Sequence, residues 1–382
     1  MDTPRPFRVD VPEAELAFLR ERVAATRWPG QMPGAGWSQG VEEGHLAELA
    51  AYWADGFDWR AQEARLNAHP QFTTVIDGQH LHYLHVESPE PDALPLVITH
   101  GWPSTVFDFL AIIGPLTDPR GHGGDPADAF HVVAPSLPGF AFSGPTGEPG
   151  WGSVRTARAW AELMAGLGYR RYGAQGGDFG SAVSAELGRH APGDVVGVHV
   201  NALADSSAPF DAAELEKLTA DEREQAEDNA AWWRGHSGYA VQMSTRPQTL
   251  AYALNDSPVG QLAWNLEWFA DWDPGSSWQT PVARDAILTD VTAFWLTGTA
   301  GSAARLYREA AGEVWGERRP SSGVPTGVAN FRGDRALRGL AELSHRITRW
   351  ADIDAGGHFG ALQAPTELVA DVRSFFRVLR EG

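Results

Sequence analysis

The stretch Tyr172–Leu187, YGAQGGDFGSAVSAEL, decides how the rest of the chain is read. It has the form of a strand running into a helix through a tight glycine turn, Gly176-Gly177-Asp178-Phe179-Gly180. That is the pattern small-x-nucleophile-x-small of a strained turn that presents one reactive side chain. The glycines are required because such a turn is crowded by the strand and helix beside it. A serine often occupies the centre. Here it is Asp178, at the amino end of a helix whose dipole favours a carboxylate. On the five residues alone an ordinary Gly-Asp turn with a helix cap is the better reading, because G-x-D-x-G is common, so the surrounding chain has to decide.

Around this turn the pattern is that of an α/β protein. Short apolar runs (LPLVITH from Leu94, FHVVAPS from Phe130, VVGVHVN from Val195) alternate with helical stretches such as VRTARAWAELMAGLG, which predicts a mostly parallel central sheet covered by helices. Ahead of it, FTTVIDG and QHLHYLHVES read as an antiparallel hairpin turning at Asp77-Gly78. Residues 1–70 read as an N-terminal helical meander packed on the core, with amphipathic helices PEAELAFLRERVAAT and VEEGHLAELAAYWADGF joined by a Pro/Gly-rich segment. From 203 to 300 the chain reads as helical and tryptophan-rich, a lid inserted between core segments 71–202 and 301–382. Strands return with VPTGVANF and ITRWADIDAGGHF. Such an insertion belongs over the carboxyl edge of the sheet, where ligands bind.

Composition narrows the function. The 382 residues carry a net charge of −19, which argues against nucleic acid and against an anionic membrane surface. With no cysteine, disulfides, thiolate metal sites and a cysteine nucleophile are excluded. The polar start, MDTPRPFRVDVPEAEL, lacks the apolar core of a signal peptide, and no run approaches the ~20 apolar residues of a spanning helix. A cytoplasmic protein is the expectation.

Two further loops bear on Asp178. THGWPST follows the strand LPLVI, and its Trp102 N–H, together with Phe179 N–H, is placed to form an oxyanion hole. The Trp102–Pro103 bond is expected to be cis. AGGHFGALQAP follows the last strand and puts His358 on a Gly-Gly loop, suited to a general base. The acid that orients it should end the preceding strand, where VPTGVANFRGDRAL offers Asp334. A surface Gly-Asp turn accounts for Asp334 equally well on these residues alone.

Taken together, RWPGQ, HGWPST, VVAPSLPGFAFSG, GGDFGS, STRPQTLAYALNDSPVG, FWLTGTAGSAARLY, VPTGVANF and GGHFGALQAP run in order across nearly the whole chain, and in this the protein resembles the microsomal-type epoxide hydrolases, which include soluble bacterial members. The resemblance implies the α/β-hydrolase fold and conversion of an epoxide to a vicinal diol through an aspartyl ester. It implies Asp178 as nucleophile, His358 as base, Asp334 as acid, and two lid tyrosines, Tyr239 and Tyr307, as proton donors to the epoxide oxygen. Without it both tyrosines read as core aromatics. The sequence departs from the family at Arg332, where a proline is frequent, and it lacks the membrane anchor of some animal members. No metal or cofactor is implied. The partners are a small-molecule epoxide and water, and a homodimer is an option.

A haloalkane dehalogenase shares the aspartate chemistry but commonly has a tryptophan donor where Phe179 stands. A non-catalytic relative would typically lose a triad member. His80 and His82 share a strand face but show no third ligand for a metal. GHGGDP, from Gly121, lacks the Lys-Ser/Thr of a phosphate loop. Trp232, Trp233, Trp264, Trp268, Trp272, Trp278 and Trp295 are expected to build the lid core, some of them lining a pocket for bulky or aromatic epoxides met in detoxification or secondary metabolism.

Overall fold

A three-residue strand, β1 (Arg5–Phe7), pairs antiparallel with β2 (Gln71–Ile76). The first 70 residues are therefore not helical throughout. Arg-Pro-Phe is too short to show alternation, and its proline is tolerated because β1 lies at the edge of the sheet. Three helices follow in the computed structural model, which describes residues 1–208 and 211–380: α1 (Glu13–Ala24), α2 (Glu43–Asp55) and α3 (Trp59–Asn67). Asp58 starts α3 by accepting the Ala61 N–H at 3.0 Å. The apolar stripes of α1 and α2 (Leu19, Val23, Leu46, Leu49, Trp53) are buried against Leu262, Leu266, Phe269, Leu288 and Val291, so this segment packs on later helices of the chain.

At Asp77 and Gly78 the backbone takes positive φ at both residues, 50° and 75°. The chain thus reverses in two residues and pairs β2 with β3 (Gln79–Val86). The strands β4 (Leu94–Thr99), β5 (Phe130–Pro135), β6 (Tyr172–Gly177), β7 (Val195–Asn201), β8 (Pro325–Phe331) and β9 (Arg346–Ile353) complete a nine-stranded sheet in the order β1-β2-β3-β5-β4-β6-β7-β8-β9. It is parallel from β5 to β9 and antiparallel from β1 to β5.

The inner parallel strands, β4 to β8, are mostly buried because helices cover both faces, whereas the edge strand β9 is not. Helices α5 (Ser153–Gly166) and α6 (Phe179–His190) bury Trp160, Leu163, Val183 and Leu187 on one side. Helix α4 (Leu110–Thr117) and the C-terminal helix Pro365–Arg377 bury Ile112, Leu116, Leu368, Val372 and Phe376 on the other. Between β7 and β8 the chain is helical, with its longer helices at Ala220–His236, Gly238–Thr245, Pro247–Asp256, Pro258–Phe269, Arg284–Thr297 and Ala300–Val314. Among the described residues no helix is long and apolar enough to cross a membrane.

Candidate active site

Asp178 stands between the end of β6 and the start of α6 with φ of 56°, a conformation that strains any residue with a Cβ. The strain is held by close packing. A Cβ on Gly180 would overlap the Thr99 carbonyl at the end of β4, and one on Gly101 would overlap the Asp178 carboxylate itself. The glycines of both loops therefore let the β4 loop come down directly onto the Asp178 turn. The Trp102–Pro103 peptide is cis, as expected.

The two carboxylate oxygens of Asp178 have different surroundings. Oδ1 accepts the Trp102 N–H at 2.9 Å. The Phe179 N–H also bonds to the carboxylate. Oδ2 lies 3.6 Å from His358 Nε2. Burial pushes the Asp178 carboxyl up to about 6, an effect the two N–H groups only partly offset.

His358 follows β9 and Gly356-Gly357. Its Nε2 has no hydrogen-bond partner among the described residues. Burial holds the ring down at about 4, so at pH 7 it is neutral with a lone pair free to take a proton. The ring packs against Trp268, centroids 4.4 Å apart. Its main-chain N–H donates to Gln279 Oε1 at 2.9 Å, and the next N–H, of Phe359, donates to Gln363 Oε1 at 2.8 Å. Gln363 Nε2 in turn donates to the Thr280 carbonyl. The histidine loop is thus fastened to the segment joining two helices of the β7–β8 excursion.

Asp334 lies in the turn after β8 and lines the same cavity as His358. Its Oδ2 accepts the N–H groups of Phe331 (3.1 Å) and Ala202 (3.3 Å), and burial pushes its carboxyl up to about 7. Among the described residues no hydrogen bond joins it to the His358 ring.

Tyr239, on Gly238–Thr245, and Tyr307, on Ala300–Val314, are both buried. Tyr239 stacks on the Trp102 ring (5.5 Å, 10°), and Tyr307 meets it edge-on (5.5 Å, 89°). Both hydroxyls are raised above the ordinary phenol range, first by burial; the Asp178 charge raises both further, and Tyr307 is raised also by Tyr239. Both stay protonated at neutral pH and can donate. Trp102 therefore has two roles, its N–H holding Asp178 and its indole fixing both tyrosines.

These side chains surround a cavity with about 80 Å³ of space open to water-sized groups. Trp232, Trp233 and Trp268 line it, as does Trp315, which nothing in the sequence singled out. Trp272 packs edge-on against Trp268 at 4.6 Å. Trp278, expected in the lid core, is 76% exposed, because it follows the Gly/Ser-rich turn Gly275-Ser276-Ser277 and belongs to no helix. Trp295 packs on Phe18 of α1. Gln279 also escaped sequence reading: its contact with the His358 loop spans 79 residues and has no local signature.

His82 is committed to the core. Its ring nitrogens pair with Ser136 Oγ (2.9 Å) and Gln71 Oε1 (3.0 Å). Among the described residues no group of three or more His, Asp or Glu side chains could hold a metal.

Comparison with known proteins gives a consistent picture. The family described as the epoxide hydrolase N terminus matches residues 4–109. A protein of Stigmatella aurantiaca, provisionally named an epoxide hydrolase, is 42% identical over 98% of this chain and 85% of its own length. Epoxide hydrolase 1 of Sus scrofa is 31% identical over 99% of this chain and 89% of its own. The solved structure of Aspergillus niger epoxide hydrolase superposes with a TM-score of 0.85 at 31% identity, covering 99% of this chain and 97% of that one.

Proposed function

The chain belongs to the epoxide hydrolase family, with the α/β-hydrolase fold and an activity that converts an epoxide to a vicinal diol, and from that premise we propose that Asp178, His358, Tyr239 and Tyr307 carry the reaction in two steps.

In the first step Asp178 Oδ2 attacks an epoxide carbon and the ring C–O bond breaks. The departing alkoxide takes a proton from a tyrosine hydroxyl, leaving a hydroxyalkyl ester on Asp178. A carboxylate suits this task because it is already charged and needs no base to activate it. In the second step water attacks Cγ of Asp178 and gives a proton to His358 Nε2. The resulting oxyanion, on Oδ1, is held by the Trp102 and Phe179 N–H groups, each such donor being worth about 3 kcal/mol. The Cγ–O(alkyl) bond then breaks, and the alkoxide takes the proton from the imidazolium and leaves as the diol. The remaining carboxylic-acid proton restores the tyrosine.

One observation carries this reading: the two Asp178 oxygens are already divided, Oδ1 to the backbone N–H of Trp102 and Oδ2 toward His358 Nε2. Asp334 is assigned to hold the positive charge that forms on His358, supported by its place on the same cavity wall. The helices between β7 and β8 act as a lid, and their tryptophans favour a bulky or aromatic epoxide. The test is His358→Gln. It should open the ring and stop there, so intact-mass spectrometry should find enzyme plus one substrate. An active His358→Gln protein with no adduct would overturn the assignment.

A further inference from the structure

Asp178 and His358 line a second cavity as well as the aromatic one, and among the described residues they alone are common to the two walls. The second cavity, about 40 Å³, lies behind the nucleophile, bounded by Ser104, Asp108, Gln175, Asn201 and Ala361 among others. One water needs roughly 10–15 Å³ of such space, so there is room for about three.

Gln175, 2% exposed, is fixed by its Nε2 donating to Asn201 Oδ1 at 3.1 Å, while its Oε1 has no hydrogen-bond partner. Asp108 is 5% exposed and its Oδ1 is likewise unpartnered. The other side of Asp108 meets Asp290, a fully buried carboxyl that accepts the Thr105 hydroxyl at 2.5 Å. Burial raises both carboxyls, and each acts on the other. His100, also on this wall, is already used: its Nδ1 lies 3.0 Å from the Gly101 carbonyl and its Nε2 accepts the Leu137 N–H at 3.1 Å. Three residues on this wall thus each carry a buried acceptor without a hydrogen-bond partner among the described residues: Gln175 Oε1, Asp108 Oδ1 and His358 Nε2. Buried acceptors that lack a partner beside a space of this size are a usual setting of structural water.

We propose that this rear cavity is a water-binding site and that the water which hydrolyses the Asp178 ester is drawn from it. The inference rests on the two-step reading above. While the ester stands, the substrate body occupies the aromatic cavity. The rear cavity reaches the same carboxyl and the same histidine from a side the substrate does not fill.

The test uses the full chain with Gln175→Met, which removes an acceptor at similar volume, and Ala361→Val, which narrows the cavity from its apolar wall. Ester formation and ester breakdown are followed separately, by stopped-flow tryptophan fluorescence and rapid-quench mass spectrometry. Both variants should form the ester within twofold of the wild-type rate and break it down ~10-fold or more slowly, because displacing the attacking water costs at least that much. The ester should then accumulate at steady state. Folded variants with wild-type breakdown rates would overturn the proposal. A wild-type enzyme that forms no Asp178 ester at all would overturn the two-step reading and this inference with it. Should Gln175→Met fail to fold, Ala361→Val and a high-resolution wild-type crystal structure decide: ordered water on Gln175 Oε1 and Asp108 Oδ1 supports the site, and a dry cavity refutes it.

Discussion

Replacing Asp178 by asparagine should abolish ester formation and, above pH 6, stabilise the fold. Burial raises the Asp178 carboxyl from 3.8 to about 6. Each unit is worth about 1.4 kcal/mol, so keeping this group charged costs the native state about 3 kcal/mol. The sign follows from the direction of the shift. A carboxyl with a raised native pKa binds its proton more tightly when folded. Its favourable contribution is complete below the unfolded value and is lost as pH rises through about 6. Asparagine never ionises and escapes that loss. The variant's advantage should be near zero below pH 4, about half its full size at pH 5, and about 3 kcal/mol above pH 7. His358 is held neutral in both folded proteins while its unfolded form takes a proton below about 6.5, so its own contribution to stability, which rises with pH up to that value, is common to both and cancels in the difference. Urea denaturation of both proteins at pH 5, 6, 7 and 8 measures the difference. An advantage that does not grow with pH, or a variant less stable than wild type at pH 8, would refute the claim that the nucleophile is held charged against its surroundings.

In the free enzyme the same ionisation should set the acid limb of kcat/KM, with activity falling as pH drops through about 6; a profile flat to pH 4.5 would exclude Asp178 as the titrating nucleophile. Tyr239→Phe and Tyr307→Phe should each slow ester formation, loss of a general acid typically costing ~10²–10⁴-fold, while leaving breakdown of a preformed ester near wild type. Wild-type ester formation in the double mutant would remove both from the mechanism. Gln279→Ala releases the main chain of His358 and should slow ester breakdown by ~10- to 100-fold, with ring opening unaffected. Gln279→Glu keeps the accepting oxygen and should restore most of the rate, and equal defects in the two variants would argue against a positioning role.

The parts of this molecule that were legible in its sequence are those whose chemistry is local. The Asp178 turn announces itself because glycines must stand where Thr99 and Asp178 crowd the backbone. The hairpin at Asp77-Gly78 is set by two residues that tolerate positive φ. The alternation of apolar runs and helices gives the parallel sheet because its inner strands are covered on both faces. What was hidden is long-range or too short for a period. β1 has three residues and joins the sheet only through a partner some 65 positions later. Trp278 carries the residue type of a lid core but sits in an exposed turn. Gln279 has no neighbours that mark it, yet it anchors the histidine loop. Tyr239 and Tyr307 were recognisable only through family resemblance, since a tyrosine on a helix has no signature of its own; their meeting over Trp102 depends on the whole excursion between β7 and β8. The rear cavity, likewise, is assembled from β4, β6, β7 and the loops that follow them.

The most direct test of the account is a single turnover in ¹⁸O-water with enzyme in excess. Ring opening makes Asp178 Oδ2 part of the ester, and attack of water at Cγ leaves that oxygen on the product. The first diol should therefore be unlabelled, and the label should appear in the peptide containing Asp178. A labelled first diol with an unlabelled Asp178 would mean that water attacks the epoxide directly, and would contradict the ester mechanism.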